Sequence, residues 1–173
     1  MLEIAEPTYT QWYGGDRVTR SDVLHRTGVP EATVVGDLTT GEGIPDGAFD
    51  CFIATQTLHV IWDVAAAVRG IRQALAPGGV ALVTVPGMSQ TSTEDRRDWG
   101  DWWRFTLMGA ERLFAEAFGG PEHVEARAHG NPYVASAFLY GHAAQELDPA
   151  ALEQDDPDYE FLITVRAAVP SSG

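Results

Sequence analysis

The stretch from Phe49 to Val85 constrains the fold more than any other. Residues 49–56, "FDCFIATQ", are almost continuously apolar until Thr55 and Gln56, which suits a central parallel strand covered on both faces. Asp63 follows as an N-cap, and Val64, Val68, Ile71 and Leu75 then recur at helical spacing, so the pattern predicts a helix from Asp63 to about Ala76. Pro77-Gly78-Gly79 ends that helix and turns the chain into a strand at Val80–Val85. A strand, a helix and a strand in this order imply a doubly wound α/β fold around a parallel sheet.

The rest of the chain extends this unit. Further strand signals fall at Leu2–Ala5, Arg17–Asp22, Thr33–Gly36, His123–Ala128 and Tyr159–Ala167, for an expected total of seven strands. A second helix is expected from Leu107 to Phe118, with Ala110, Leu113, Phe114 and Phe118 inward and Gly119-Gly120 at its end. A third is expected from Pro132 to Leu147, where Val134, Ala137, Phe138 and Gly141 form a stripe of small and apolar residues. The last strand follows an acidic loop, "DPAALEQDDPDYE", and is compatible with an antiparallel insertion. A chain of 173 residues is expected to form one domain, 1–169, with the closing "PSSG" at 170–173 as a frayed, disordered tail.

Composition narrows the partners. No apolar run approaches the ~18 residues of a membrane span, and no basic-then-apolar leader opens the chain. Cys51 is the single cysteine, is followed by the apolar Phe52 and Ile53 and reads as a buried strand thiol; together these point to the cytoplasm. Twenty-five acids face eleven bases, a formal charge of -14, and every base is an arginine, which suggests a GC-rich bacterial genome. Polyanion binding needs a basic face, so neither nucleic acid nor an anionic membrane is an expected partner. His123 and His129 lack ligand partners at metal spacing, and no metal site is expected.

Ligands of such sheets bind beyond the carboxyl ends of the strands. Asp22 closes the second expected strand and could accept the hydroxyls of a ribose, or serve only as a turn or N-cap aspartate. Asp37-Leu38, after the third strand, could bind an adenine amino group and cover the ring, although aspartate is common in any loop. Gln56-Thr57-Leu58-His59 follows the fourth strand. His59 is the one candidate base, since imidazole titrates near neutral pH; a capping or packed histidine is the alternative.

In sequence order stand an aspartate after strand three, Phe49-Asp50 opening strand four, Leu58-His59 after it, a long helix, and Leu75-Ala76-Pro77-Gly78-Gly79 before strand five. This pattern resembles the middle of class I S-adenosylmethionine-dependent methyltransferases. The whole chain from Leu2 to Val169 can be laid on their Rossmann-like, seven-stranded, mostly parallel sheet, closest to small bacterial members of the methyltransferase type 11 group. The resemblance implies S-adenosylmethionine as cofactor, with Glu3 near its amino end, Ala5 in the turn beside it, Asp22 at the ribose, Asp37 and Leu38 at the adenine, and Gln56 nearby. It also exposes a departure. The family turn after strand one is Gly-x-Gly, whereas Ala5-Glu6-Pro7-Thr8-Tyr9 contains no glycine, crowds the backbone and loses an amide at Pro7. The spans Glu6–Asp16 and Asp22–Thr33 are too short for full helices, so two cofactor-side helices are expected to be reduced or missing. The helix that precedes strand one in the family is also expected to be absent, unless the start lies upstream.

Acceptor contacts are expected from the segment after strand five, "PGMSQTSTEDRRDWGDWWRFT". Trp99, Trp102 and Trp103 could stack on a sugar face, and Arg104, Arg96 or Arg97 could hold an anion; equally, some of the tryptophans could pack beneath the loop. The resemblance thus implies methyl transfer to a small molecule, such as a sugar or a glycosylated natural product. The competing expectation is a catalytically inactive protein of this fold that serves as a binding partner. A sheet face left bare by reduced helices leads to the expectation of a homodimer.

Overall fold

The computed structural model describes residues 1–171. Seven strands form one sheet: β1 (Leu2–Ile4), β2 (Asp22–His25), β3 (Val34–Val35), β4 (Phe49–Thr55), β5 (Leu75–Pro86), β6 (Val124–His129) and β7 (Leu162–Ala168). Their order is β3-β2-β1-β4-β5-β7-β6. The first five run parallel, and β7 lies antiparallel between β5 and β6. The late strand is therefore an antiparallel insertion, as its sequence position suggested.

The helices are α1 (Thr8–Tyr13), α2 (Val64–Ala74), α3 (Thr93–Asp98), α4 (Leu107–Phe118), α5 (Pro132–Leu139) and α6 (Pro149–Leu152). Asp63 caps α2 by accepting from the Ala66 amide at 2.9 Å. α2 and α4 lie side by side and bury Val68, Ile71, Phe114 and Phe118 against Phe52, Val83 and Val165 of the sheet. Alternate residues of β5 and β7 enter this core: Ala81, Val83 and Val85 pair with Ala167, Val165 and Ile163. On the opposite face Leu82 is 41% exposed, and the partly exposed Val80, Cys51 and Thr84 share its side.

Three places differ from their sequence patterns. α2 ends at Ala74 and β5 already begins at Leu75, so Pro77-Gly78-Gly79 lies within the strand instead of ending the helix. The expected strand Arg17–Asp22 is instead a 3-10 turn, Gly15–Arg17, followed by coil, and Asp22 opens β2 rather than closing it. The alternation in "RVTRSD" contains one apolar residue, whereas Val23 and Leu24 are both buried and hold the register Glu3↔Val23, Ile4↔Leu24. α5 stops at Leu139 because Gly141 adopts φ 81°, and a 3-10 turn, Ala144–Glu146, replaces the expected continuation to Leu147. The helices between β1 and β3 are reduced to the six residues of α1. Of the expected 170–173 tail, residues 172–173 lie outside the described residues.

Candidate active site

The carboxyl ends of β1 to β4 surround a cavity of about 590 Å3. A second hollow of about 770 Å3 opens at the amino ends of β1, β2 and β4, beside Asp22, Arg20 and Cys51. Ligands of open parallel sheets lie beyond the carboxyl ends, because there the loops diverge and leave a crevice. The first cavity is therefore the candidate site, and Asp22 stands at the wrong end of its strand to reach it. It instead pairs with Arg20 at 2.6 Å and accepts from the Thr33 hydroxyl at 3.1 Å. The residues at the cavity end of β2 are His25 and Arg26.

The glycine-free turn is built from behind. Glu3 is 2% exposed, and its two carboxylate oxygens accept from the Tyr9 and Thr10 amides, each at 2.9 Å. It thereby satisfies two amides at the start of α1 that have no partner within the helix. Its carboxylate holds the turn rather than facing the cavity. Ala5, which lines the cavity, has φ 68°, the left-handed region that glycine enters freely and that costs a residue with a Cβ about 1–2 kcal/mol. Its amide is tied to the Leu24 carbonyl at 3.1 Å. Gln56, at the end of β4, has φ 47° and also lines the cavity, with its amide held by the Thr84 carbonyl at 3.0 Å. Two strained residues at neighbouring strand ends, both facing one cavity, are the pattern expected where backbone is held for a ligand.

Asp37 and Leu38 form the wall beyond β3. Asp37 accepts from the Thr39 hydroxyl at 2.6 Å and amide at 2.7 Å, and these bonds, chiefly the hydroxyl, hold its carboxyl below the ordinary aspartate range. Arg26 lies 3.5 Å from its other oxygen. Leu38 is buried, and α2 passes so close to it that a Cβ at Gly70 would lie 2.1 Å from the Leu38 carbonyl oxygen. His25 Nδ1 accepts from the Thr27 amide at 3.2 Å, and its ring meets Trp99 edge-on at 6.2 Å.

The far wall is aromatic. Trp62, Trp99 and Trp102 line it, each about half exposed or more. Trp62 and Trp102 meet edge-on with centroids 5.2 Å apart. Trp103 stacks beneath Trp62 at 5.4 Å and donates its indole N–H to the Ile61 carbonyl at 2.9 Å, so it braces the wall. Arg104 is also committed to the scaffold: Asp101 binds its guanidinium at 2.6 and 3.0 Å. The Arg104 guanidinium brings the Asp101 carboxyl down to about 2. Asp101 further accepts from the Ser92 amide, and the two residues clamp the segment that carries the tryptophans.

His59 sits in the 3-10 turn Leu58–Val60, and its carbonyl accepts from the Trp102 and Trp103 amides at 2.9 and 3.2 Å. Burial pushes its imidazole pKa down against the pull of Asp101 and Asp95. Its Nε2 is 3.7 Å from Asp95 Oδ2, and it is Asp95 that lines the cavity. His25, Arg26, Trp62 and Asp95 were not among the residues expected from sequence. Setting β2 by its buried Val23-Leu24 pair rather than by alternation would have placed His25 at the strand end. Trp62 and Asp95 carry no motif, and only folding brings them together.

Residues 5–138 match a family described as a methyltransferase domain, and the chain belongs to that family. Its strand order, with one antiparallel strand inserted beside β5, is that of class I S-adenosylmethionine-dependent methyltransferases. Among solved structures, the chain is similar to a complex between the Haloferax volcanii Trm112 methyltransferase activator and a methyltransferase: 15% identity, TM-score 0.60, covering 99% of this chain and 82% of that one. It is similar to a Mesorhizobium loti S-adenosylmethionine-dependent methyltransferase: 16% identity, TM-score 0.58, covering 96% and 89%. It is also similar to Burkholderia thailandensis 1,6-didemethyltoxoflavin-N1-methyltransferase, solved with 1,6-didemethyltoxoflavin and S-adenosylhomocysteine: 13% identity, TM-score 0.59, covering 98% and 71%. No curated protein matches the chain significantly in sequence.

Proposed function

We propose that this chain transfers a methyl group from S-adenosylmethionine to a small organic acceptor, of which a saccharide or a glycosylated natural product is the class suited to stacking on indole faces. The observation that carries the reading is one continuous cavity with a nucleoside-like wall, Ala5, His25 and Asp37-Leu38, facing an aromatic wall, Trp62, Trp99 and Trp102. Its volume is in the range of about 300–1,000 Å3 usual for small-molecule sites. The small molecule held by the Burkholderia enzyme supports an acceptor of this size.

The residues suit the cofactor with two substitutions. Ala5 takes the left-handed conformation for which the family uses glycine, so the turn keeps its path with a methyl group added. Asp37 and Leu38 suit an adenine amino group and ring. At the end of β2, where a carboxylate would accept two ribose hydroxyls, His25 offers Nε2 for one. Bound there, the cofactor supplies an electrophilic methyl group. The chain supplies position: strand-end backbone at Ala5 and Gln56 holds one side, and the tryptophan wall orients the acceptor and excludes water.

Calorimetric titration with S-adenosylmethionine and S-adenosylhomocysteine tests this. Micromolar binding that is lost in Asp37→Ala is expected. A folded chain that binds neither at millimolar concentration would overturn it and favour a silent binding partner.

A further inference from the structure

The aromatic wall carries charge of one sign. Asp63 and Asp95 line it beside Trp62, Trp99 and Trp102. Arg26, across the cavity, lies 3.5 Å from Asp37, and that pair offsets its own charge. The neighbours that could offset Asp95 are His59, at 3.7 Å, and Arg104, which Asp101 already binds through two nitrogens. Asp63 spends one oxygen on the Ala66 amide and has no charge partner within ion-pair reach among the described residues. The remaining titratable group of the lining is His25, on the cofactor side. An indole face attracts a cation, tryptophan most strongly of the aromatic residues, and a partly desolvated carboxylate adds to the attraction. A neutral ring stacked on this wall would leave both carboxylates uncompensated.

Resting on the methyl-transfer reading, we propose that the acceptor is an amine, which docks as its ammonium between Trp62, Trp99 and Trp102 and yields a proton to Asp95. The Asp95 carboxylate takes the N–H proton and becomes neutral. The freed nitrogen lone pair then forms an N–C bond to the donor's methyl carbon, and the S–C bonding pair stays on sulfur, which leaves as a neutral thioether. The product is a methylated ammonium and keeps the charge the wall favours. The amine can stand on a saccharide ring or on an aglycone.

The test titrates the full chain, saturated with S-adenosylhomocysteine, with choline and with dimethylbutanol, its neutral carbon isostere. Choline is a stable stand-in for the docked cation. Choline is expected to bind about tenfold more tightly than the isostere. Asp95→Asn should reduce the preference while S-adenosylhomocysteine still binds. Asp98→Asn, an equal charge change on the same helix, should keep it. Equal binding of the two probes, or an equal loss in Asp98→Asn, overturns the amine assignment and leaves methyl transfer standing. Failure of S-adenosylhomocysteine to bind overturns methyl transfer instead, and the two probes are then compared on the chain alone by the same criteria.

Discussion

His25 and Asp22 occupy the two ends of one four-residue strand, and the cavity sees only the first. A ribose hydroxyl bonded to His25 Nε2 is one neutral hydrogen bond. Such a bond contributes about 0.5–1.5 kcal/mol, or roughly two- to tenfold in affinity. His25→Ala is therefore expected to weaken S-adenosylhomocysteine binding by that factor. Asp22→Ala should leave affinity unchanged but lower Tm, because it strands the Thr33 hydroxyl and removes the partner of Arg20. Calorimetry and thermal melts on both variants separate the roles; weaker binding in Asp22→Ala with His25→Ala silent would reverse them. The sequence held the right residue types but not their ends of the strand. Alternating polar residues in "RVTRSD" imitate a strand, and only pairing with β1 settles where β2 starts. His59 shows the same limit: a lone histidine after β4 was legible, but its place behind Asp95 depends on a chain segment about 36 residues away.

At the scale of elements, the strand–helix–strand core was legible because its signals are local: the apolar run of β4 and the Asp63 cap fall at the observed boundaries, whereas α2 stops at Ala74, ahead of Pro77-Gly78-Gly79, which lies within β5. α4 was legible for the same reason: of its expected inward residues Ala110, Phe114 and Phe118 are buried and Leu113 is partly buried, and Gly119 ends it in the left-handed region. The tryptophan wall was legible only in part, since Trp62 and the post-β5 segment lie on different elements and meet through the carbonyls of Ile61 and His59. Gly70 shows how one element sets another. The approach of α2 to the Leu38 carbonyl leaves no room for a Cβ, and the obstacle is backbone, which cannot swing aside. Helix propensity alone favours Gly70→Ala by about 1 kcal/mol. Overpacking costs about 1–3 kcal/mol and should win. The expected outcome is a lower Tm, with S-adenosylhomocysteine affinity reduced because the Asp37-Leu38 wall is displaced. A higher Tm with unchanged affinity would show that α2 and the loop separate freely.

At the scale of the whole molecule, an excess of 14 negative charges must be held on one compact body. Like charges spread over a folded surface repel one another, and unfolding relieves the repulsion. Salt acts on this energy and on the ion pairs in opposite directions, so the sign of its effect depends on which is larger. Arg97–Asp98, Arg112–Glu116 and Arg127–Glu125 are solvent-exposed pairs that contribute little, so their screening loses little. The Asp101–Arg104 clamp, with the Asp101 side chain fully buried, is screened far less. Repulsion among the unpaired acids reaches across the molecule at low salt, where the Debye length is about 30 Å, and shrinks to about 8 Å near 0.15 M. Sodium chloride is therefore expected to raise Tm between these two conditions at neutral pH. A gain of about 1 kcal/mol corresponds to roughly 2–4 °C for a chain of this size. Chloride rather than sulfate is the salt to use, because sulfate stabilises folded proteins by exclusion from their surface and would give the same sign for another reason. A fall in Tm would mean that the arginine pairs, not the surplus carboxylates, dominate the electrostatics of the fold.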